Sequence, residues 1–252
     1  MDLKIRVEEN GKIVLGNYRF RSHDVVDMTH CRVQCAPNME LYRHLHTFLT
    51  DKPDRARAID QISARTLGSQ QHATVFLKDA PVEERINDWR AFFDATSTLS
   101  KLEILHGNAI CLTLMREQPP FTFMNRPWTV SPRSFFQNNL EGAEAIYYTL
   151  QSLYDGPPIK GKFIDLYCGI GVQTMLLERR FEEVVAVECN EDSFRDALVN
   201  QRGRRQQQIR FICRKAEAIF ATPLIKGSIA AVHMNPPRTG LTPKVIRSVG
   251  GI

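Results

Sequence analysis

Residues 163–174 read FIDLYCGIGVQT, and this stretch decides the fold. An apolar segment runs directly into Gly169 and Gly171, and a sequence typical of a helix follows. Glycines at such a turn permit backbone conformations that other residues avoid, and they let a ligand approach the main chain closely. The stretch is therefore typical of the first strand–turn–helix unit of a parallel α/β sheet, in which ligands bind beyond the carboxyl ends of the strands.

Strand-like and helix-like segments alternate around this turn. Strands are predicted at residues 163–167, 184–188, 209–213 and 229–235, and helices at about 140–154, 173–180, 191–202 and 216–220. Such alternation predicts βαβ units with right-handed crossovers. We therefore expect an α/β, doubly wound, Rossmann-like sheet. Only four strands can be read, so we expect the sheet to be incomplete at its C-terminal side and the fourth strand to be an exposed apolar edge.

The first 130 residues lack this alternation. Strands are predicted at KIVLGNYRF, ATVFLK and LEILHGNAICLTLM, and helices at MELYRHLHTFL and EERINDWRAFFDATSTL. Residues 117–134 hold four prolines and show no periodicity. The boundary is placed there, between a small α+β domain at 1–130 and a second domain at 131–252.

Composition restricts the class of protein. A chain of 252 residues with 43% hydrophobic content can bury one or two cores, and its net charge of +5 permits a polyanionic partner. Six cysteines without paired spacing are typical of reduced thiols in the cytoplasm. The N-terminus is charged and no apolar run is long enough to span a bilayer, so a cytoplasmic protein without a membrane partner is expected.

Two more polar residues stand at predicted strand ends. Glu188 lies about 20 residues after the glycines, where a carboxylate can accept hydrogen bonds from both ribose hydroxyls; a helix cap or surface acid is the alternative. The prolines after Asn235 restrict it to extended geometry and present its side chain at a strand tip, or they merely end the strand. No third glycine completes a dinucleotide fingerprint, which favours S-adenosylmethionine over NAD.

These segments resemble the RNA uracil-5-methyltransferases that act on ribosomal and transfer RNA. YRFRSHDVVDMTHC is similar to the family's central RNA-recognition domain, SPRSFFQNNLEGAEAIYYTL to the start of its catalytic domain and DLYCGIGV to its cofactor loop. VVAVECNEDSFRDALVN is similar to its ribose-binding strand and helix, and NPPRTGL to its fourth-strand motif. Asparagine before the prolines resembles the 23S ribosomal RNA enzymes, which lack an N-terminal oligonucleotide-binding domain.

The resemblance implies a cofactor site at the carboxyl edge of the sheet. The positions that match S-adenosylmethionine contacts are Gln137, Tyr167, Val172, Glu188 and Asn235, and those that shape the loop are Asp165, Gly169 and Gly171. Phe135 and Phe136 either pack a base or adenosine, or belong to the core. Arg238 is either a phosphate contact or structural. Lys215 stands where the family commonly has an acid near the adenine, which predicts weakened cofactor binding.

The implied reaction needs a thiolate and a base. Uracil C5 is a poor nucleophile, so a cysteine adds to C6, the methyl group moves to C5, and a carboxylate removes the C5 proton. The resemblance places that cysteine and glutamate after the N-P-P-R strand and hence beyond Ile252, so no catalytic residue is expected within this chain. Cys168 is interpreted as a small buried packing residue, and Cys189 and Cys213 as structural.

Neither a metal nor an iron–sulfur cluster is expected. Cys31 matches one cluster-ligand position of the family, but no cysteine precedes it. Residues 201–210, QRGRRQQQIR, form a basic cluster that either meets RNA phosphates or is a solvated helix end.

Two other functions stay open from the sequence. An Asn-Pro-Pro tip can also accept a hydrogen bond from an exocyclic amine, as in amino-directed methyltransferases, although that class expects an aromatic residue where Arg238 stands. The other alternative is an inactive RNA-binding protein that keeps the fold. The sequence predicts no oligomeric state.

Overall fold

The computed structural model describes residues 1–202 and 209–251. Contacts divide the chain into two compact units, Met1–Phe121 and Thr122–Ile252. Most of the basic cluster predicted at 201–210 falls on residues 203–208, which lie outside the described residues. Across the described ranges, no helix is long and apolar enough to cross a membrane.

The strands of the first unit form one seven-stranded sheet. They are β1 (Asp2–Val7), β2 (Ile13–Tyr18), β3 (Val25–Asp27), β4 (Ile59–Leu67), β5 (Gln70–Leu77), β6 (Leu99–His106) and β7 (Ala109–Met115), in the order β3-β2-β1-β4-β5-β6-β7. Only β5 and β6 are paired in parallel, and helix α3 (Glu83–Ala95) supplies the crossover that a parallel pair needs. The predicted strand LEILHGNAICLTLM is a hairpin of β6 and β7 that turns at Gly107, where φ is +57°.

Two more helices, α1 (Ala36–Asp51) and α2 (Pro53–Arg57), complete this unit. The core face of α1 holds Leu41, Leu45 and Leu49, which recur every four residues and are fully buried. Trp89 of α3 is 1% exposed and packs beside Phe48 at a ring distance of 4.9 Å. The predicted α+β composition of this region is confirmed.

A small two-stranded sheet lies in the proline-rich stretch, where no periodic element was predicted. Its strands are β8 (Phe121–Phe123) and β9 (Arg126–Trp128). Met124 and Asn125 have φ angles of 49° and 57°, as in a two-residue hairpin turn that matches the twist of the strands. The Trp128 indole N–H donates to the Phe123 carbonyl at 3.0 Å and closes the hairpin.

The second unit is built on a parallel sheet. Strands β10 (Ile159–Leu166), β11 (Phe181–Glu188), β12 (Ile209–Cys213) and β13 (Ile229–Met234) are arranged in the order β12-β11-β10-β13. Every pairing between them is parallel. The central strand β10 buries Phe163, Ile164 and Leu166 completely. The predicted Rossmann-like sheet of four described strands is confirmed, with β13 at one edge.

Helices lie on both faces of this sheet. They are α4 (Leu140–Leu153), α5 (Val172–Leu177), α6 (Glu191–Gln201), α7 (Ala216–Ile219) and α8 (Pro243–Val249). Ile219 of α7 and Val245 of α8 share a core cluster with Ile164 of β10, whereas Thr174 of α5 bonds to Asp165, which points to the opposite face. Both faces are therefore covered, as the doubly wound prediction required. Helix α8 was not predicted.

The apolar face of α4 is only partly covered. Helical spacing puts six residues on this face, namely Leu140, Ala143, Ile146, Tyr147, Leu150 and Tyr154. Of these residues only Ala143 is buried, and Ile146 is 54% exposed. Helix α4 packs against the short helix α5, and this partner is too short to cover the whole apolar face.

Candidate functional site

The glycine turn after β10 is a strained loop. Gly169 and Gly171 have φ angles of +57° and +83°, and Tyr167 has +62°. The left-handed region is uncommon for a residue with a bulky side chain. Such a conformation persists only where the surrounding structure enforces it, and it occurs often at ligand sites. Sequence reasoning found the two glycines but missed the strain at Tyr167.

Gly169 and Gly171 differ in the space that surrounds them. A Cβ at Gly171 would lie 2.8 Å from Phe211 Cζ and 3.1 Å from Met175 Cε, so the loop needs glycine there in order to pack against the sheet. A Cβ at Gly169 would meet only the Phe135 carbonyl oxygen, at 3.8 Å. The main chain at Gly169 is thus open to a ligand, whereas the space beside Gly171 is filled by the protein.

Glu188 lies at the end of β11 and is fixed by backbone groups. Its Oε2 atom accepts a hydrogen bond from Gly169 N at 2.9 Å, and its Oε1 atom accepts from Cys189 N at 2.8 Å and Asn190 N at 2.7 Å. The cap of α6 is instead Asn190, whose Oδ1 accepts from Ser193 N at 2.8 Å, so the helix-cap interpretation of Glu188 is wrong. A carboxylate has about four acceptor positions, so one remains for a ligand hydroxyl.

Two predicted site residues, Gln137 and Asn235, line one cavity of about 160 Å³. Tyr147 of α4, Gln173 of α5 and His233 of β13 line it as well. Burial and the nearby Asp165 carboxylate raise the pKa of Tyr147 to about 12, which keeps this phenol neutral. The cavity therefore presents several hydrogen-bonding groups near the tip of β13.

A buried hydrogen-bonded chain lies behind this cavity. His233 Nδ1 is 3.1 Å from Asp165 Oδ1, and Asp165 Oδ2 accepts from Thr174 Oγ1 at 2.5 Å. Asp165 is 1% exposed, and these bonds compensate for the burial of its carboxylate. Sequence reasoning missed His233. The signal was its position two residues before Asn235 in a strand, which places both side chains on the same face.

Gln173 also escaped the sequence interpretation. It is 7% exposed, and its Nε2 atom has no hydrogen-bond partner among the described residues. Buried polar groups are nearly always paired. An amide donor in this state, on the wall of a cavity, indicates a place for a ligand acceptor.

Phe135 and Phe136 occupy different environments. Phe136 is 5% exposed and packs edge-on to Phe123 with ring centres 5.2 Å apart, so it belongs to the core. Phe135 is 63% exposed and is available to stack on a base. The segment before them is fixed by Asp196, which accepts from Ser131 N at 2.6 Å and from Ser134 Oγ at 2.5 Å.

The cysteines of this unit differ in exposure, since Cys168 is half-buried whereas Cys189 and Cys213 are exposed. Burial, with the added repulsion of the Asp165 and Glu188 carboxylates, raises the pKa of the Cys168 thiol well above its usual value. The thiol therefore stays protonated and is a poor nucleophile. The interpretation of Cys189 and Cys213 as structural stays a prediction. Cys189 directly follows β11, and Cys213 is the last residue of β12.

The other predicted positions are distributed around the loop. Val172 begins α5 and is 3% exposed, with its side chain in the core. Burial and the Glu217 carboxylate raise the pKa of Tyr167. Lys215 and Arg238 are exposed.

Within residues 1–202 and 209–251, no group of three or more His, Cys, Asp or Glu side chains is arranged to hold a metal. Cys31, which matches one cluster-ligand position of the family, is half-buried.

Comparison with known sequences identifies relatives along almost the whole chain. An uncharacterized RNA methyltransferase of Staphylococcus aureus (strain N315) is 25% identical over an alignment of 265 positions, gaps included, which covers 96% of this chain and 57% of that protein. A protein from Danio rerio named tRNA (uracil-5-)-methyltransferase homolog B is 34% identical over 125 residues, which cover 48% of this chain and 25% of its own. No family model matches the chain. The chain thus spans little more than half the length of the bacterial relative.

Comparison with solved structures gives the same fold. The crystal structure of a Pyrococcus abyssi tRNA (uracil-54, C5)-methyltransferase in complex with S-adenosyl-L-homocysteine aligns with a TM-score of 0.68 at 17% identity. The alignment covers 99% of this chain and 62% of that one. The methyltransferase fold is confirmed, and so is the resemblance to the RNA uracil-5-methyltransferases that the motifs indicated.

Proposed function

We propose that this chain binds S-adenosylmethionine and forms the cofactor-binding part of an RNA methyltransferase that acts on C5 of uridine. The observation that carries the proposal is the bond from Gly169 N to Glu188, which joins the open glycine of the β10 loop to a carboxylate at the tip of β11. This pairing occurs at the carboxyl edge of a parallel sheet, where a nucleoside ligand binds in such folds. The named relatives support the same reaction class.

The chain's own residues fit this cofactor. Glu188 keeps one acceptor position for a ribose hydroxyl, and Gly169 leaves the main chain open beside it. The resemblance assigns Gln137 and Asn235 to the cofactor as well, and both lie on the wall of the neighbouring cavity. When it is bound, S-adenosylmethionine supplies an electrophilic methyl group. By the resemblance, Tyr167 and Val172 would also contact the cofactor, and Asp165 and Gly171 would shape the loop that holds it.

The remaining chemistry requires a thiolate that adds to uracil C6 and a base that removes the C5 proton. Cys168 does not suit the first role because its thiol pKa is raised. We therefore propose, from the resemblance, that the nucleophilic cysteine and the glutamate base follow residue 252 in the sequence. The exposed Phe135 would stack on the splayed base.

We further propose that the substrate is 23S ribosomal RNA, modified in the cytoplasm. The asparagine before the prolines supports this choice. Two of the similar proteins are named as transfer RNA enzymes, so transfer RNA is the competing substrate that any test has to include.

Cofactor binding is tested by titrating the chain with S-adenosylhomocysteine in a calorimeter. We expect saturable heat with one site per chain, and loss of that heat in Glu188→Ala. Glu141→Gln, in the exposed first turn of α4, is the matched control and should bind normally. A folded wild-type chain that gives no heat would rule the proposal out and favour the inactive RNA-binding alternative.

The substrate is tested by transfer of labelled methyl groups to unmodified 23S ribosomal RNA and unmodified transfer RNA. The chain is assayed beside a version extended through its downstream coding sequence. We expect label on ribosomal RNA at uridine C5 with the extended version only. Label on transfer RNA alone would refute the ribosomal assignment, and label on an exocyclic amine would favour the amino-directed class.

A further inference from the structure

The cavity between α4, α5 and β13 holds polar groups that the cofactor contacts above leave unused. His233 and Gln173 both line it. The Nε2 atom of Gln173 is a buried donor without a partner in the described part of the chain. The cofactor contacts proposed at the glycine loop and at Glu188 involve neither residue. The chemistry of this cavity therefore needs its own explanation.

The proton positions on His233 follow from its neighbour. Asp165 Oδ1 lies 3.1 Å from His233 Nδ1, and an ionised carboxylate only accepts hydrogen bonds. Thr174 donates to the second Asp165 oxygen, so the carboxylate is held in one orientation. His233 Nδ1 therefore carries the hydrogen, and in the neutral ring Nε2 is left as an acceptor. With the ring neutral, Nε2 is a directional acceptor on the cavity wall.

The size of the cavity restricts its occupant. Its volume is about 160 Å³, close to the engineered apolar cavity of about 150 Å³ that takes up one benzene molecule. A single six-membered ring fits such a space. Asn235, which directly follows β13, is one of the residues that line it.

We propose that this cavity receives the Watson–Crick edge of the target uracil, with N3–H donating to His233 Nε2 and O4 accepting from Gln173 Nε2. The inference rests on the proposed function, since it assigns the target base of the same site. His233 and Gln173 are then specificity-determining residues, and Asp165 is a positioning residue that acts through His233.

The arrangement selects uracil over cytosine. Cytosine has an unprotonated N3, which would face the acceptor Nε2 of His233, and an amino group at C4, which would face the amide donor of Gln173. The contact at N3 then brings two acceptors together, and the contact at C4 brings two donors together. A site built for a hydrogen bond strongly rejects an analogue that cannot make it. The Gln173 amide can rotate, but the His233 ring is fixed by Asp165, so His233 carries most of the discrimination.

The test uses nine-residue RNAs with four adenosines on each side of one central nucleotide. The central nucleotide is uridine, cytidine or N3-methyluridine, and binding is followed by fluorescence anisotropy with and without S-adenosylhomocysteine. For the wild-type chain we expect the uridine RNA to bind at least about tenfold more tightly than the other two, which corresponds to about 1.4 kcal/mol. Equal binding of the three RNAs, or no binding, would overturn the inference.

Variants separate recognition from folding. His233→Leu should lower the uridine preference to less than about threefold, whereas His233→Gln, which keeps an acceptor, should restore part of it. Asp165→Asn should reverse the His233 tautomer and shift the preference towards cytidine. If His233→Leu keeps the full preference while folded, the inference is wrong.

A spectroscopic readout does not depend on RNA affinity. In protein labelled with ¹⁵N-histidine, the His233 signals should show a protonated Nδ1 and an unprotonated Nε2 in the free chain, and the Nε2 signal should move on addition of the uridine RNA. The opposite tautomer would refute the proposal. Failure of S-adenosylhomocysteine to bind, with the uridine preference intact, would instead count against the proposed cofactor alone.

Discussion

The Glu188 carboxylate accepts a hydrogen bond from Gly169 N at 2.9 Å, and this bond ties the loop after β10 to the tip of β11. The other carboxylate oxygen holds the chain at Cys189 and Asn190. The acid is thus already oriented before any ligand arrives. Groups fixed in this way lose little conformational freedom on binding, which favours affinity.

The first prediction concerns this carboxylate. In Glu188→Gln, an amide NH₂ replaces one acceptor oxygen and faces backbone N–H donors, so at least one donor loses its partner. We expect a loss of about 1 kcal/mol in the free energy of unfolding and binding of S-adenosylhomocysteine weakened by at least about tenfold. Urea denaturation and calorimetry measure the two effects, with Glu141→Gln as control. Unchanged affinity would mean that Glu188 serves only the loop.

The second prediction separates the two costs of replacing a glycine. Gly171 and Gly240 have φ angles of +83° and +78° and lie in the same unit, but only Gly171 has neighbours within 4 Å of a built Cβ. Gly240→Ala should cost about 1–2 kcal/mol for its backbone conformation. Gly171→Ala should cost about 1–3 kcal/mol more, because the methyl group overpacks Phe211 and Met175. Urea denaturation of both variants gives the difference, and equal losses would contradict the packing role.

Much of the second unit could be predicted because its signals are local. The run from FIDLY into Gly169 indicates a strand followed by a turn, and the alternation after it indicates a parallel sheet. Glu188 was found for the same reason, since its position at a strand end is visible in the sequence. Asn125 and the hairpin around it were hidden, because β8 and β9 are only three residues long and show no period.

The Asp165–His233 contact could not be predicted from local pattern. The two residues are 68 positions apart, and they meet because β10 and β13 pair directly in a register that places Asp165 opposite His233. Register between strands is set by packing of the whole sheet and not by either strand alone. The exposure of Ile146 on α4 has a related reason, since amphipathic spacing indicates an apolar face without stating which partner covers it.

The third prediction tests the interpretation of Cys168. Its thiol pKa is raised by burial and by two carboxylates, whereas Cys35, Cys111 and Cys213 are exposed. At pH 8 we expect iodoacetamide to label the exposed cysteines first and Cys168 last, as measured by mass spectrometry over time. Cys168→Ala should bind S-adenosylhomocysteine within about threefold of wild type. Rapid labelling of Cys168 in the folded chain would contradict the burial argument.

The fourth prediction concerns the segment before Phe135. Asp196 is 3% exposed and accepts three hydrogen bonds, from Ser131 N, Ser131 Oγ and Ser134 Oγ. Asp196→Asn places an amide donor among these donors, and we expect a loss of about 2–3 kcal/mol in the free energy of unfolding. Limited proteolysis should then cut within residues 131–137. Asp155→Asn is the control, since the Asp155 side chain is 91% exposed, and it should resist proteolysis like wild type.

The last prediction concerns His72 of β5 in the first unit. His72 is 8% exposed, and its Nδ1 has no hydrogen-bond partner among the described residues. Burial, reinforced by Arg65 and Lys101, lowers its pKa from 6.5 to about 4. These two cations stand opposite His72 on the neighbouring strands β4 and β6, so a protonated ring would lie between like charges.

The direction of the resulting pH dependence follows from the protons bound. Between pH 6.5 and about 4 the unfolded chain protonates His72 and the folded chain does not, so the free energy of unfolding falls as the pH falls through this window. At pH 5 the loss relative to pH 7.5 should be about 2 kcal/mol. Above about pH 7.5 the contribution of this residue no longer changes with pH.

Urea denaturation at pH 7.5 and pH 5 measures the effect. A Trp128→Phe background makes Trp89, which is buried in the first unit, the reporter of that unit. The free energy of unfolding should change between pH 7.5 and pH 5 by about 2 kcal/mol less in His72→Leu than in its parent. The carboxylates contribute equally in both proteins, so their effect cancels in this comparison. His44→Gln, at an exposed site on α1, should leave the difference unchanged. An equal pH dependence in His72→Leu and its parent would show that His72 is protonated in the folded chain, and the lowered pKa would then be wrong.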